Sequence, residues 1–581
     1  MALGVLGGTA EVALRASPRF GLGFFEQLTW LTLGVAQNLA VVVGALIVAR
    51  LAGRVGLRVL GDRPVGMAAA ALLALHLGLW YRFERVLNLY ARDPQVWGGL
   101  LLIAVGAALV GLSLDRLLRR SARFAILGAA LAFWAALIRG APAEPAVGEG
   151  TNVLLVTWDT TRPDRLGPYG GPAATPILDR LAAEGVTFEQ AVTTAPLTQP
   201  AHLSILTGQP TTETGVVVNG TQLGERGAMI QHRMKAAGYT TGAAVSGFPL
   251  HSKYGWDQGF DLYDDDFGAI PGLHRLSLTH ASEQLLLPGN TLREREGAGA
   301  TRRARQFIER NADGAWFFWL HLFDPHAPYE ALDVADAPTD GPPLDLPGYW
   351  PPPHRRITSA DWLIHAYDAE LARVDGYTGQ VIATLERLGL LEDTVVVVTA
   401  DHGESLTEHG LLFDHGEDLY DPSLRVPLVV RAPGVGQSGA RVGCQVSVID
   451  LVPTVEALVG LPPAEAQGRS LVPALRGEGC ADTPVVSTAP GERTPDPPID
   501  ASVREPPYKL IQYAARPDAP AREALFNLED DPGELRDISG SPEALGKQRA
   551  MKGATEGAPE VQAPELDEGS MDALRVLGYI E

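Results

Sequence analysis

The strongest constraint on this chain is a change of composition near residue 145. Residues 1–150 contain 14 Arg, no Lys and 8 acidic residues, a net charge of +6, whereas residues 151–581 have a net charge of −28. The first part also contains four apolar stretches, each close to the ~20 residues that cross a bilayer. They lie at 28–48, 64–81, 96–114 and 122–138. The sequence therefore predicts two regions of different fold class.

Residues 1–140 are predicted to form an α-helical membrane region with about four transmembrane helices, followed by a linker at 141–150. The stretches at 28–48 and 122–138 also fit tilted, interfacial or packed helices. Eight Arg lie on one side of the predicted helices and six on the other, so the positive-inside rule favours both termini outside the cytoplasm. We therefore expect an integral membrane protein, with the membrane as a partner and residues 151–581 on the non-cytoplasmic side.

Overall charge and cysteine content exclude several classes of protein. A net charge of −22 would repel a phosphate backbone, so no nucleic-acid partner is expected. The two cysteines, Cys444 and Cys480, are too few for a disulfide framework or a Cys-based zinc module. A single disulfide between them remains open, because sequence does not show their proximity.

Residues 151–540 alternate apolar runs with amphipathic stretches, the pattern of an α/β domain with a largely parallel sheet. The strand candidates are 152–158, 239–246, 315–322, 395–399 and 426–431. Most have polar residues at their C-terminal ends. In such sheets the ligand site lies beyond those ends, so these polar side chains should converge.

Two of the predicted strands end in residues that can bind a metal. Asp159 follows the first strand, and Asp401 and His402 follow the apolar run at 395–399. Carboxylate oxygens combined with one imidazole nitrogen suit zinc or manganese better than calcium. An Asp after a strand can also be a helix cap or loop residue. The pattern therefore favours a divalent metal only if other residues support it.

Thr198 supplies that support. Residues 195–208 look like a turn running into a short helix, with Thr198 at its beginning. A hydroxyl beside unpaired helix amides is placed to become a nucleophile, because the amides and a metal stabilise an alkoxide and a bound anion. The alternative is that Thr198 is only the N-cap of the helix.

Motifs spread along residues 150–540 carry a resemblance to a known family. They include Asp159-Thr160-x-Arg162-x-Asp164, Thr175-Pro176-x-Leu178-Asp179, Leu206-Thr207-Gly208, Asp324-Pro325-His326-x-Pro328-Tyr329, Tyr367-Asp368-x-Glu370, Asp401-His402-Gly403-Glu404 and Tyr508-Lys509-Leu510-Ile511. In this order they resemble the sulfatase family of the alkaline phosphatase superfamily. The resemblance implies a doubly wound, mainly parallel α/β sheet with a smaller C-terminal subdomain, together forming a catalytic domain at 151–540.

The resemblance also implies roles for individual residues. The implied metal ligands are Asp159, Thr198, Asp401 and His402. The implied catalytic residues are Thr198 as nucleophile, Asn219 as donor to a substrate oxygen, and His326 and His415 as groups that stabilise the transferred group or the leaving oxygen.

One segment departs from the sulfatase pattern. Sulfatases have Cys or Ser in a Cys/Ser-x-Pro-x-Arg signature and oxidise it to formylglycine, whereas this chain has Thr198-Gln199-Pro200-Ala201-His202. Threonine cannot give that aldehyde, since oxidation of a secondary alcohol yields a ketone. Thr160 and His402 also replace an acid and an Asn. This set resembles the phosphoryl-transferring branches of the superfamily.

The first hypothesis is therefore a membrane-anchored, metal-dependent hydrolase or transferase of the sulfatase family that acts on phosphodiester or phosphoester groups through Thr198. The alternatives are a sulfatase that works without formylglycine, and an inactive sulfatase-like binding protein. The expected substrate is a phosphoester or a sulfate ester, and the neighbouring apolar stretches suggest a lipid or an envelope glycan.

Several further residues complete the prediction. A second metal on Asp324, His326 and His415 is less favoured, because their spacing does not match two-zinc relatives. Arg162 and Asp164 are interpreted as structural.

Three segments are interpreted from composition. The acidic run at 264–266 is read as a solvated loop. The Pro- and Gly-rich segment at 336–353 is expected to lie near the site and to shape substrate choice. Residues 541–581 are expected to be a flexible tail.

Overall fold

Strand β1 (Asn152–Trp158) is buried along its whole length, as its apolar sequence predicts. It belongs to a computed structural model that describes residues 150–224, 229–265, 267, 295–463, 466–492, 498–517, 519–542 and 544–552. All of these except Phe267 belong to one compact unit, Pro145–Asp265 with Arg293–Glu581.

The remaining strands are β2 (Val186–Val192), β3 (Thr240–Ala244), β4 (Leu262–Asp264), β5 (Trp316–Leu322), β6 (Thr394–Thr399), β7 (Arg425–Arg431), β8 (Ala440–Ser447), β9 (Val485–Pro490), β10 (Ile499–Glu505), β11 (Tyr508–Tyr513) and β12 (Arg522–Asn527). The helices are α1 (Pro176–Glu184), α2 (Thr198–Thr207), α3 (Thr211–Thr214), α4 (Ile230–Ala236), α5 (Gly297–Arg310), α6 (Ala360–Leu388), α7 (Asp421–Leu424), α8 (Leu451–Leu458), α9 (Val472–Leu475) and α10 (Leu545–Lys552).

Eight strands form one sheet in the order β4-β3-β5-β1-β6-β7-β2-β8. Its strand pairs are parallel except those that β7 makes with β6 and β2. The prediction of an α/β fold with a mainly parallel sheet is therefore confirmed. Thr157 of β1 pairs with Thr399 of β6, so Asp159 and Asp401, each two residues further on, leave the sheet side by side.

The two faces of β1 pack against different elements, because successive side chains in a strand point to opposite sides. Leu154, Val156 and Trp158 belong to a core that also contains residues of α5 and α6. On the other face, the Thr157 hydroxyl accepts a hydrogen bond from Trp319 of β5 and contacts His202 of α2 at 3.0 Å. Asp159 has the same parity as Thr157, and it therefore faces α2.

The last four strands form a separate antiparallel sheet in the order β12-β11-β10-β9, the smaller C-terminal sheet that the resemblance implied. A buried ionic cluster joins it to α7 of the main region: Asp421 accepts from Lys509 at 2.8 Å and from Arg504 at 3.0 Å. Lys509 also contacts Glu534 at 2.7 Å. Cys444 and Cys480, left open by the sequence, form a disulfide with their Cα atoms 6.2 Å apart.

The prediction of an integral membrane protein is corrected by the properties of the helices that the structure describes. None of them is both long enough and apolar enough to cross a bilayer. The longest, α6, carries exposed charged residues such as Asp361, Glu386 and Arg387, because only one side of this helix is buried. The prediction of an integral membrane protein is therefore not supported. The four apolar stretches on which it rested lie outside the described residues.

A further expectation, about the acidic run, is corrected. Asp264 and Asp265, predicted to lie in a solvated loop, are both 3% exposed. Asp264 ends β4 and pairs with Arg295 and Arg303, which compensate its burial. Within the segment 541–581, whose flexibility stays a prediction, α10 packs against the small sheet, and Met551 is buried beside Val503 and Leu510.

The buried cluster around Asp421 yields a stability prediction. Burial opposes ionisation of Asp421, but Lys509 and Arg504 outweigh it and hold the pKa of this carboxyl well below its ordinary value. Asp421→Asn should lower the free energy of unfolding by about 3–5 kcal/mol, because it leaves the buried Arg504 without its carboxylate partner and Lys509 with Glu534 alone. Denaturant titration measures the change. Glu309→Gln, which breaks an exposed pair with Arg387, should cost less than about 1 kcal/mol. Equal losses would contradict the prediction.

Candidate metal centre and active site

Three buried side chains meet at the carboxyl edge of the parallel sheet. The side chains of Asp159, Asp401 and His402 are fully buried, and one ligand atom from each lies within 4.8 Å of the others. His402 Nε2 is 3.5 Å from Asp401 Oδ2 and 3.9 Å from Asp159 Oδ1. These three atoms have no hydrogen-bond partner. Buried polar atoms are almost always hydrogen-bonded, so three such atoms facing one another indicate a binding site.

The opposite end of each of these side chains is held in place. Asp159 Oδ2 lies 3.0 Å from His321 Nε2. Asp401 Oδ1 accepts from the backbone N–H groups of His402 at 2.8 Å and Thr160 at 3.3 Å. His402 Nδ1 lies 2.9 Å from the Gly403 carbonyl and must donate to it, which leaves a lone pair on Nε2. Each side chain thus has one anchored atom and one open atom.

The electrostatics of this group fit a divalent cation. Burial raises the pKa of Asp159 well above its ordinary value. Burial, and then the adjacent Asp159 carboxylate, do the same for Asp401. Burial also lowers the pKa of His402, which keeps the imidazole neutral, as a metal ligand must be. A cation between the two carboxylates would offset the cost of burying both charges, and the oxygen and nitrogen donors suit it.

Thr160 has a backbone conformation that is rare for its residue type. Its φ is +48°, in the left-handed region that β-branched residues avoid. The conformation directs its N–H toward Asp401 and its carbonyl toward Tyr367, whose hydroxyl donates to it at 2.7 Å. The same hydroxyl accepts from the Arg162 N–H at 3.0 Å. Tyr367 therefore holds the strained turn that follows Asp159, a role that the sequence did not reveal.

Thr198 is the first residue of α2, and Leu197, not Thr198, is the N-cap. Thr198 is fully buried, and its hydroxyl interacts with the Asp159 carboxylate. Asn219 lies beside it: its Oδ1 accepts from the Gln199 N–H at 2.8 Å, while its buried Nδ2 has no hydrogen-bond partner. The structure thus brings Thr198, Asn219 and Asp159 together, with an amide donor available next to the hydroxyl.

A second group of histidines approaches His402. The ring centroid of His402 is 4.6 Å from that of His415. The ring centroid of His415 is 4.9 Å from that of His326. His326 Nδ1 is 2.7 Å from the Ala327 carbonyl and donates to it. His415 Nδ1 is 3.0 Å from Glu404 Oε1. Glu404 is fully buried, and its pairing with His415 is a feature that the sequence did not predict.

One member of the second metal set, which the sequence did not favour, is held at a helix end. Both carboxylate oxygens of Asp324 accept from the Gly297 N–H, at 3.2 and 3.0 Å. Gly297 begins α5, so Asp324 holds the beginning of this helix. Carboxylates are favourable at such helix ends.

Two other predicted features lie around the site. Arg162 bonds Asp164 and Glu408 and donates to the Glu404 carbonyl, which fits the structural role assigned to Arg162 and Asp164. In the segment at 336–353, the Tyr349 hydroxyl is 3.4 Å from Asp414 Oδ1, next to His415. This segment therefore borders the loop that carries one of the candidate catalytic histidines.

Sequence comparisons assign the chain to the alkaline phosphatase superfamily. Within it, the chain belongs to the sulfatase family: the sulfatase family profile matches residues 151–461, more than half of the chain. The profile of the C-terminal region of N-sulphoglucosamine sulphohydrolase matches residues 407–557. The resemblance drawn from the motifs is confirmed. Enzymes of this family use a divalent metal ion, which the site geometry fits.

Relatives of the chain differ in their named activities. Choline-sulfatase of Rhizobium meliloti (strain 1021) is 28% identical over 440 residues, covering 67% of this chain and 83% of the relative. The multifunctional alkaline phosphatase superfamily protein PehA of Trinickia caryophylli is 27% identical over 498 residues, covering 69% and 94%. The structure of phosphonate monoester hydrolase SpPMH from Silicibacter pomeroyi matches with a TM-score of 0.54 and 25% identity, covering 70% and 94%. The chain is therefore a hydrolase of the sulfatase family.

The carboxylate pair predicts opposite effects of one substitution with and without metal. Asp401→Asn should stabilise the metal-free protein, since it removes one of two buried charges, and should abolish stabilisation by Mn²⁺ or Zn²⁺. The wild type should gain about 2.7 kcal/mol at a metal concentration of 100 Kd. Thermal unfolding in chelator and in metal measures both effects. Asp324→Asn, outside the group, should keep the metal response. A loss of stability in Asp401→Asn that is the same in both conditions would rule out this centre.

Proposed function

We propose that this chain is a metal-dependent hydrolase or transferase that acts on phosphodiester or other phosphoester groups, with Thr198 as nucleophile. The observation that carries the proposal is the position of the Thr198 hydroxyl, at the first turn of α2 and in contact with the Asp159 carboxylate. Asp159, Asp401 and His402, with Thr198 itself, would hold the metal. Zinc or manganese is favoured by the mixed oxygen and nitrogen donors.

The bound ion would lower the free energy of the Thr198 alkoxide and of the charge on the transferred group. With the ion bound, the Thr198 hydroxyl would lose its proton to solvent. Its oxygen then forms a bond to phosphorus as the bond from phosphorus to the leaving oxygen breaks, which gives a phosphorylated Thr198, still esterified when the substrate is a diester, and an alcohol. Asn219 Nδ2 donates to a non-bridging oxygen of the transferred group. The first turn of α2 adds backbone N–H groups and the positive end of the helix dipole.

His415 is the proposed donor of a proton to the leaving oxygen. Its Nδ1 is bonded to Glu404, an arrangement that fixes the orientation of the ring and stabilises the imidazolium form. Nε2 then gives its proton to the departing alcohol, and the same nitrogen accepts a proton from the water or second alcohol that releases the phosphothreonine. His326, in ring contact with His415, is proposed to bind the oxygens of the transferred group.

A sulfate ester is the second candidate substrate. It is favoured by the family profile and by relatives named as sulfatases, choline-sulfatase among them. Thr198 favours a phosphoester substrate, because threonine cannot form the aldehyde on which formylglycine sulfatases depend. The relative named as a phosphonate monoester hydrolase shows that the fold also occurs with phosphorus-containing substrates.

Replacing the nucleophile tests the proposal directly. Thr198→Ala should lower phosphodiester turnover at least about a thousandfold, because no other hydroxyl replaces the attacking oxygen. Thr198→Ser, which keeps the hydroxyl, should retain measurable turnover. The substrates are matched nitrophenyl esters: a phosphodiester, a phosphonate monoester, a phosphomonoester and a sulfate. Mass spectrometry of enzyme quenched during turnover should find the transferred group on Thr198, an esterified phosphoryl group from the diester and phosphate from the monoester.

Thr207→Ala is the matched control, since its hydroxyl lies at the far end of α2 and bonds the Leu203 carbonyl. It should leave turnover unchanged. Full activity of Thr198→Ala would refute the threonine mechanism. Sulfate turnover above phosphodiester turnover in the wild type would establish the second candidate in place of the first.

The role of His415 is tested by changing the leaving group. His415→Ala should lower turnover of an alkyl phosphodiester by about 10²–10⁴-fold, because an alkoxide needs a proton to leave. With a nitrophenyl ester the loss should be much smaller, since nitrophenolate leaves without one. His365→Ala, an exposed histidine of α6, is the control and should change neither rate. An equal loss on both esters would mean that His415 has another function.

A further inference from the structure

Two buried histidines beside the site have no role in the mechanism above. His202 lies on α2 and His321 on β5, and both side chains are fully buried. Together with Asp401 they offer ligand atoms within 4.8 Å of one another, a spacing that would suit a second metal ion. The alternative is that they position the residues of the first centre. Their hydrogen bonds decide between these roles.

The ring of His321 has only one compatible tautomer. Its Nδ1 lies 3.3 Å from the backbone N of Ser246, which can only donate, so Nδ1 must accept. The ring proton is therefore on Nε2, which points at Asp159 Oδ2 from 3.0 Å and donates to it. A nitrogen that carries this proton has no lone pair for a metal. The geometry thus makes His321 a neutral donor to Asp159.

His202 has the opposite tautomer for an equally simple reason. Its Nδ1 is 2.7 Å from the Thr198 carbonyl, which can only accept, so Nδ1 carries the proton. Its Nε2 lies 3.0 Å from the Thr157 hydroxyl, whose oxygen already accepts from Trp319, and the hydroxyl donates its proton to Nε2. Both nitrogens are thereby engaged within the protein. His202 is at the position where formylglycine sulfatases have Arg, one turn after the nucleophile.

His402 shows what a ligand looks like in the same site. Its Nδ1 donates to a carbonyl, as in His202, but its Nε2 has no hydrogen-bond partner and faces the open oxygens of Asp401 and Asp159. Histidines that bind metals commonly donate the other ring proton to the protein in this way. His202 and His321 lack such an open nitrogen.

We infer that His321 and His202 are positioning residues and not ligands of a second ion. His321 holds Asp159 so that Oδ1 faces the metal, and His202 holds the backbone at Thr198 so that the hydroxyl faces the same point. This inference rests on the proposed metal-dependent function and extends it to two residues that contact neither the metal nor the substrate.

Substitution of His321 by Gln or by Asn distinguishes its two hydrogen bonds, because each amide side chain can replace only one ring nitrogen. His321→Gln places an N–H₂ group near the position of Nε2 and can keep the bond to Asp159. His321→Asn reaches only the position of Nδ1 and loses it. In full-length protein stripped of metal and titrated calorimetrically with Mn²⁺ or Zn²⁺, His321→Asn should bind about 10–100-fold more weakly than the wild type. His321→Gln should bind nearly as tightly as the wild type.

Substitution of His202 by Asn or by Gln tests its positioning role through steady-state kinetics. His202→Asn keeps a donor for the Thr198 carbonyl and should retain kcat, whereas His202→Gln loses this donor. His202→Gln should lower kcat with little change in KM, because the nucleophile and not substrate binding is displaced. Metal affinity should remain near that of the wild type in both variants.

The outcomes separate this inference from the proposed function. Binding of one ion per chain, with a weaker metal affinity in His321→Asn alone, supports the positioning role. Equal affinity in His321→Asn and the wild type overturns the positioning role and leaves the metal centre intact. Two ions per wild-type chain, reduced to one in both His321 variants, overturns it in favour of a second metal site. Absence of metal binding by the wild type overturns the proposed function and this inference together.

Discussion

The arrangement of the site depends on two carboxylates buried side by side at the end of a parallel strand pair. Asp159 and Asp401 leave β1 and β6 at the same level because Thr157 and Thr399 are paired in register. Water is excluded from both side chains. Two such charges cannot stay ionised together without a cation, as their raised pKa values indicate. The protein surrounds them with fixed donors, which hold the geometry that a divalent ion requires.

Each proposed ligand is fixed through the atom that would not face the metal. His321 takes one oxygen of Asp159, backbone amides take one oxygen of Asp401, and Gly403 takes one nitrogen of His402. The strained Thr160 contributes to this set, since its amide bonds Asp401 while Tyr367 holds its carbonyl. Strain of this kind persists only where the surroundings overdetermine the backbone. The site is therefore preorganised at the edge of the sheet, by the turns that follow β1 and β6 and by side chains of β5 and α6 that hold them.

Much of this arrangement could be predicted from sequence, because apolar runs ending in Asp or Asp-His are strong signals. The positions of β1, β5 and β6 and the convergence of Asp159, Asp401 and His402 follow from them. His202 and His321 escaped prediction, since an isolated histidine inside a helix or strand looks like an ordinary core residue. Their function emerges only once the register of β1 and β5 is known. The acidic run at 264–266 was also misinterpreted, because the partners that bury it are distant in sequence. Arg295 and Arg303 pair with Asp264 and compensate its charge.

The replacements at positions 198 and 202 are best understood together. An arginine at 202 would bring a permanent cation into a fully buried position beside Asp401, which already lies 3.5 Å from His202 Nδ1. A neutral imidazole instead donates one hydrogen bond and accepts one, so it satisfies the Thr198 carbonyl and the Thr157 hydroxyl without adding charge. With the proposed threonine nucleophile, activation would fall to the metal and the helix terminus, and the neutral histidine would leave both carboxylates available to the ion.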